Sequence, residues 1–146
     1  MMGFRGMAFG LALLAANGAM AQEAKNAASG GQLLLELNAL QTSDKGGCRL
    51  TFLVKNELNA ALDKAGFEMA LFDENGSVNR LAVLEFNDLP VNKTKISRFD
   101  LAGADCAKIS RVLINNSSSC AGQGVDPRLC LNALKTETRT KVAFGS

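Results

Sequence analysis

The alternation of apolar and polar residues is the feature that most restricts how this chain can fold. Near the start of the pattern, two sets of three apolar residues are spaced two apart: Leu33, Leu35 and Leu37, then Leu50, Phe52 and Val54. Successive side chains of a β-strand point to opposite faces, whereas a helical face repeats every ~3.6 residues. Each set therefore predicts a strand with one buried face.

Five further segments with strand-like patterns follow, separated by turn residues: residues 67–71, 78–86, 96–101, 109–115 and 135–144. Asn75-Gly76 predicts a tight hairpin, and the opposed phases of Ile96 and Phe99 predict a bulge near Arg98. Helix is predicted only as short turns at 58–64 and 127–134. About seven short strands with little helix are typical of an all-β, antiparallel, immunoglobulin-like sandwich.

Residues 1–21 have the three parts of an export signal. Arg5 supplies the positive charge, residues 7–16 form a short apolar segment, and Ala19 and Ala21 place small side chains before a cleavage site. An apolar run of about ten residues is too short to span the ~30 Å core of a membrane. The predicted organisation is a signal peptide over residues 1–21, cleaved between Ala21 and Gln22, a flexible leader over 22–32, and one domain over 33–146 without a membrane span.

Four cysteines follow this signal: Cys48, Cys106, Cys120 and Cys130. An exported protein generally pairs its cysteines, and four of them allow three connectivities. Cys48 is in phase with the apolar residues of its strand, so it can share a core with Cys106, while Cys120 and Cys130 flank a glycine-bearing loop. The pattern favours the bridges Cys48–Cys106 and Cys120–Cys130 in a periplasmic or secreted protein.

Three residue types that many active sites need are absent, because the sequence contains no His, Trp or Tyr. Nucleophile systems that depend on His and His-ligated zinc are thereby excluded. Loss of Arg5 with the signal leaves fifteen of the sixteen Lys and Arg residues against fourteen Asp and Glu, and so small a net charge does not favour nucleic acid. We predict a protein with no catalytic residue, metal ligand or cofactor.

Acidic residues provide the remaining candidates for chemistry. Glu68 with Glu85 or Asp88 is a candidate acid–base pair, since a carboxylate-based hydrolase needs two carboxyls at a set separation. Residues 73–77 (Asp-Glu-Asn-Gly-Ser) resemble the start of a calcium loop, but the glutamate that closes such a loop is missing. A hairpin turn is therefore the preferred interpretation of that segment.

Several segments between residues 47 and 144 form a recognisable set: Cys-Arg-Leu-Thr-Phe-Leu-Val-Lys-Asn at 48–56, Phe-Glu-Met-Ala-Leu-Phe-Asp-Glu-Asn-Gly at 67–76, Phe-Asn-Asp-Leu-Pro at 86–90, Arg-Phe-Asp-Leu at 98–101, Cys106, and Arg-Val-Leu-Ile-Asn at 111–115. Together they resemble small exported bacterial proteins labelled "Tat pathway signal sequence domain protein". That family has no established activity, so the resemblance implies no catalytic residues.

The signal of this chain differs from the family's label. A twin-arginine signal has two adjacent arginines, whereas Arg5 stands alone, so general secretion is predicted. Leu-Phe-Asp at 71–73 with Gly76 is similar to FxLYD-type sandwich domains, which implies the same fold.

These observations predict a non-catalytic exported sandwich that acts as a protein-interaction or accessory module in the bacterial envelope. The last predicted strand places Lys135, Arg139 and Lys141 on one charged face, which suits a sheet edge. Such an edge could pair with a strand of an envelope protein.

Two alternatives remain for the function. A small-ligand carrier would use a pocket between the sheets lined by phenylalanines, namely Phe67, Phe72, Phe86 and Phe99, although the same rings could instead fill the core. A carboxylate-based hydrolase built on the glutamates named above is the second alternative.

Overall fold

The computed structural model describes residues 31–146, and the predicted signal peptide, its cleavage site at Ala21 and most of the leader lie outside that part. Two four-stranded β-sheets pack face to face. The strands are β1 Leu33–Thr42, β2 Cys48–Asn56, β3 Leu62–Phe72, β4 Val78–Leu89, β5 Thr94–Leu101, β6 Arg111–Ala121, β7 Leu134–Thr138 and β8 Ala143–Gly145. A 3₁₀ helix, Cys106–Lys108, precedes β6, and α1, Leu129–Asn132, precedes β7.

The strand order is β5-β2-β1-β7 in the first sheet and β4-β3-β6-β8 in the second. The chain crosses between the sheets so that β5 returns to pair with β2 and β6 returns to pair with β3. This Greek-key path is characteristic of immunoglobulin-like sandwiches, so the predicted fold class is confirmed. The sandwich is not antiparallel throughout, because β7 runs parallel to β1 and β8 runs parallel to β6.

The alternating apolar residues build the core between the sheets. The inward-facing residues of β1 and β2 are at most 1% exposed: Leu33, Leu35, Leu37, Leu50, Phe52 and Val54. They meet Phe67, Met69 and Leu71 of β3, which are at most 2% exposed. Burial of this apolar surface is the main favourable contribution to folding.

Both disulfides favoured from the sequence are present. Cys48 is bridged to Cys106, which ties the start of β2 to the 3₁₀ helix, and Cys120 is bridged to Cys130, which ties the end of β6 to α1. No helix within residues 31–146 is both long enough and apolar enough to cross a membrane.

The strand predicted over residues 135–144 is divided into β7 and β8, which belong to different sheets. Between them, the Thr138 hydroxyl accepts a hydrogen bond from the Thr140 N–H (3.1 Å), and the Thr140 hydroxyl accepts one from the Val142 N–H (3.0 Å). These side chain–backbone bonds replace strand pairing and turn the chain. Phe144 then packs on Phe52, with ring centroids 5.5 Å apart.

Two local predictions were wrong. No bulge lies near Arg98, because β2 and β5 pair in continuous register; instead Ile96 points to solvent (51% exposed) while Phe99 packs against the core. Residues 58–64 form no helix, since β3 already begins at Leu62. The short helix predicted within 127–134 is confirmed as α1.

The hairpin predicted from Asn75-Gly76 is confirmed. The Gly76 N–H donates to the Asp73 carbonyl (3.0 Å), and Gly76 has a φ of 78°. Glycine adopts this left-handed conformation without steric cost, which is why it occupies the last position of the turn.

Candidate interaction surface

The four edge strands of the sandwich differ in length. β7 and β8 have five and three residues, β5 has eight and β4 has twelve. Natural proteins protect a sheet edge by keeping it short or by placing Lys, Pro or other charges on it. β4 contains neither Lys nor Pro, although it carries Arg80, Glu85 and Asp88. It is the longest of the four edges, and among the strands of residues 31–146 it pairs only with β3. It is therefore the edge most open to an added strand.

β4 also exposes apolar side chains to solvent. Val78, Leu81 and Val83 are 55%, 56% and 54% exposed, whereas Leu84 and Phe86 are buried. Because strand side chains alternate, Leu81 and Val83 lie on the outer face of the second sheet. Val78 lies on the same face as well. Asn79 is an extra residue in the pairing of β4 with β3, and it reverses the alternation of side chains at that point. Clustered exposure of this kind marks interaction sites more often than single exposed residues do.

Apolar residues continue across the outer face of the second sheet, and the middle residue of the row, Ala70, is only 4% exposed. In the strand register, Leu81 lies beside Ala70, and Ala70 lies beside Leu113. Next to this row, Phe72 has the Arg111 guanidinium 5.4 Å from its ring centroid, so the row is bordered by a charge. We call the set Val78, Leu81, Val83, Ala70 and Leu113 the β4 patch.

The first part of β4 is held by a hydrogen bond from Arg80 to the loop after β5. Arg80 occupies an inward-facing position, and its Nη1 donates a 2.9 Å hydrogen bond to the Ala102 carbonyl. The Arg80 charge is therefore directed towards the loop after β5 and away from the β4 patch. Asn79, next to Arg80, has no partner residue in β3, because the register between β3 and β4 shifts there.

The last part of β4 is covered by a side chain of β5. Lys95 Nζ donates to the carbonyl oxygens of Asn87 (2.8 Å) and Asp88 (2.9 Å). Asp88 itself has a φ of 54°, which interrupts the extended backbone. The part of β4 that remains open as an edge is therefore residues 79–86.

The charged edge predicted near the C-terminus is present but short. Lys135 lies on β7, with its Nζ 3.5 Å from a Glu137 carboxylate oxygen. Arg139 and Lys141 follow β7 in the segment that crosses to the second sheet. β7 is an edge of the first sheet as predicted, and partner binding there stays a prediction.

The four phenylalanines proposed as a pocket lining do not line one pocket. Phe67 and Phe86 are each 1% exposed, and the Phe86 centroid lies 6.3 Å from Phe67 and 5.1 Å from Phe99. Phe72 lies outside this cluster, against Arg111. Three of the rings therefore pack in the core, where tilted and edge-on contacts are favourable.

The carboxylates considered for hydrolysis lie on an open sheet face. Glu68 accepts a 2.6 Å hydrogen bond from the Asn115 side chain, and Glu85 is 3.6 Å from Lys64 Nζ. Asp88 sits at the end of β4. Neither glutamate lines a groove described for residues 31–146, so the geometry brings together no acid–base pair around a substrate cleft.

A groove of about 340 Å³ lies at one end of the sandwich, between the 73–77 hairpin and the segment of Asp105 and the 3₁₀ helix. The Asp73 carboxylate in its wall accepts hydrogen bonds from the N–H groups of Asn75 and Ser77, both 2.9 Å, and so closes the turn. In the described part of the chain, no group of three or more Asp, Glu, Cys or His side chains is placed to hold a metal ion.

Sequence and structure were also compared with known proteins. Comparisons with protein-family models, with curated proteins and with solved structures found no match. The family resemblance and the similarity to FxLYD-type domains therefore stay predictions.

Proposed function

We propose that this protein is a non-catalytic interaction module of the bacterial envelope, periplasmic or secreted, that binds a partner protein along β4. The observation that carries the proposal is the exposure of Val78, Leu81 and Val83 on a long edge strand, which pairs on one side only among the strands of residues 31–146. The export features of residues 1–21 and the two disulfides support the location, since disulfides persist in oxidising compartments.

The mechanism is addition of a partner strand to the second sheet. Backbone N–H and C=O groups along residues 79–86 would bind the added strand, and the side chains on its outer face would select it. Leu81 and Val83 are each about half exposed, so covering them contributes about 1 kcal/mol each. The apolar side chains therefore add to the affinity that backbone pairing provides.

The two alternative functions receive less support from the geometry. A Phe-lined carrier needs a cavity between the sheets, but there Phe86 packs on both Phe67 and Phe99. A hydrolase needs two free carboxyls around a cleft, but Glu68 and Glu85 bind neighbouring side chains on an open face.

Site-specific photo-crosslinking in the envelope tests the proposal. A photoreactive phenylalanine analogue is placed at Leu81 on β4 and, as a matched control, at Ile96 on β5, which is an edge residue of similar exposure (51%). A third position, Lys135, tests the edge predicted from the sequence. A crosslinked partner at position 81 and none at position 96 would support the proposal.

A crosslinked partner at position 135 alone would move the interface to β7. Absence of a crosslink at all three positions would contradict an edge-strand interaction. Leu81→Lys should abolish the crosslink formed by the analogue at Val83, whereas Ile96→Lys should leave it unchanged.

A further inference from the structure

The pattern of β4 identifies one strand that fits this edge, namely β4 itself. We propose that a second copy of this chain pairs with β4 in antiparallel orientation, about a twofold axis at Ala82. This inference rests on the proposed function, because it names the partner of the same edge. It predicts a homodimer in which two four-stranded sheets become one eight-stranded sheet.

The register follows from the exposed side chains. With the axis at Ala82, Leu81 of each protomer faces Val83 of the other on the outer face. All four of these side chains are more than half exposed in the single chain, and each would then have an apolar neighbour across the seam. Cross-strand apolar pairs of this kind are the unit that stabilises a sheet.

Neighbouring registers are less favourable. An axis at Leu81 would place Val83 opposite Asn79, and an axis at Val83 would place Leu81 opposite Glu85. An axis at Arg80 would place two arginines opposite each other, which is destabilising. Only the register about Ala82 pairs both exposed apolar residues with apolar residues.

The charges of β4 do not oppose this pairing. Arg80 is directed towards the loop after β5 by its hydrogen bond to the Ala102 carbonyl, and Glu85 lies 3.6 Å from Lys64 of the same chain. The open part of the edge, residues 79–86, has Ala82 and Val83 at its middle. The seam can therefore extend about equally on both sides of the axis.

The apolar row also continues across the seam. Leu113, Ala70 and Leu81 lie side by side in one chain, and the partner's Val83 would extend that row. The association is isologous, so it closes at two copies. β5, the other long edge, has the charged Arg98 and Asp100 on the same exposed face as Ile96, so it presents no two neighbouring apolar side chains for the same pairing.

Sedimentation velocity of the oxidised, exported protein tests the dimer. We expect a monomer–dimer equilibrium that populates the dimer by about 0.5 mM, because edge pairing with few apolar contacts corresponds to modest affinity. Leu81→Lys and Val83→Glu should each weaken association by about tenfold or more, since each change affects both symmetry-related pairs. Ile96→Lys is the matched control and should leave association unchanged.

A mixture of the two variants identifies the register. In a heterodimer about Ala82, the lysine introduced at position 81 of one protomer faces the glutamate introduced at position 83 of the other, and the second Leu81–Val83 pair is intact. Mixing L81K with V83E should therefore restore association to within a few-fold of the unchanged protein. Registers centred on Leu81 or Val83 do not bring the two introduced charges opposite each other and give no recovery.

Three results would overturn the inference: a monomer at about 0.5 mM, an unaltered dimer in L81K, or no recovery in the mixture. Circular dichroism of each variant shows whether it is folded before association is compared. A monomer that still crosslinks a different envelope protein through position 81 would refute the dimer and leave the proposed function standing. If the protein neither dimerises nor forms a crosslink through position 81, the dimer and the proposed function are both refuted.

Discussion

The side-chain amide of Asn56 donates a 2.8 Å hydrogen bond to the carbonyl oxygen of Leu89, and so joins the end of β2 to the end of β4. The same amide nitrogen donates to the Ala60 carbonyl, and its oxygen accepts from the Leu58 N–H, both at 2.9 Å. Asn56 is fully buried. It therefore satisfies three backbone groups that have little access to water.

Replacement of Asn56 by Ala should lower the free energy of unfolding by about 2–4 kcal/mol, because buried polar groups left without partners cost about 1–3 kcal/mol each. Urea unfolding followed by circular dichroism measures the change. Asn59→Ala, an exposed position three residues away, is the control and should be close to neutral. A loss below about 1 kcal/mol for Asn56→Ala would show that these groups find other partners.

The two disulfides should differ in their contribution to stability. The Cys48–Cys106 bridge joins residues 58 apart and the Cys120–Cys130 bridge joins residues 10 apart. In the chain-entropy model the longer loop contributes about 4 kcal/mol and the shorter about 3 kcal/mol. Paired Cys→Ala variants, compared by urea unfolding, should show the larger loss for the Cys48 and Cys106 pair. The reverse order would contradict the entropic account.

Most of the fold could be predicted from the sequence because period-two alternation is a local signal. Leu33, Leu35 and Leu37 show it within five residues, and no information about distant strands is needed. The division of the last strand is different. Thr138 and Thr140 also alternate with charged residues, and their hydroxyls turn the chain through backbone bonds that no periodicity reveals.

The candidate site could not be predicted for a related reason. Residues 81–84 of β4 are all apolar, so alternation does not show which face is buried. The position of β4 at an edge depends on its pairing with β3 and on the absence of another neighbour among the strands of residues 31–146, and both are set by long-range topology. The lack of Lys and Pro in β4 was the one local signal of an open edge.

The contact between Glu36 and Arg139 should stabilise the crossing segment after β7. Glu36 is only 5% exposed, and its carboxylate accepts from the Asn38 side chain (2.9 Å) and Arg139 Nε (3.2 Å). Arg139→Ala should cost about 1–2 kcal/mol, because it leaves a largely buried carboxylate without its cation. Lys135→Ala removes only an exposed ion pair and should change stability by less than about 0.5 kcal/mol.

A double-mutant cycle separates the ion pair from other effects of the substitution. Glu36→Gln removes the charge, so Arg139→Ala should cost less in that background than in the unchanged protein. Urea unfolding of the four proteins measures the difference. Equal costs in both backgrounds would show that Arg139 acts through packing alone.

The Asp126 carboxylate should titrate at unusually low pH. Hydrogen bonds from the Arg128 side chain, and then from its backbone N–H, lower the pKa of Asp126 from 3.8 to about 2. Because the folded pKa lies below the unfolded one, this contribution to stability is present above about pH 4 and is lost as the pH falls through about 2.

Arg128→Ala removes the side-chain bonds to Asp126 (2.9 and 3.2 Å) and keeps the backbone bond (2.8 Å). NMR titration of the carboxyl carbon should then give a pKa above 2 that stays below 3.8. Asp100, whose pKa is lowered by Arg49, should not respond, and an unchanged midpoint for Asp126 would contradict the assignment to the Arg128 side chain.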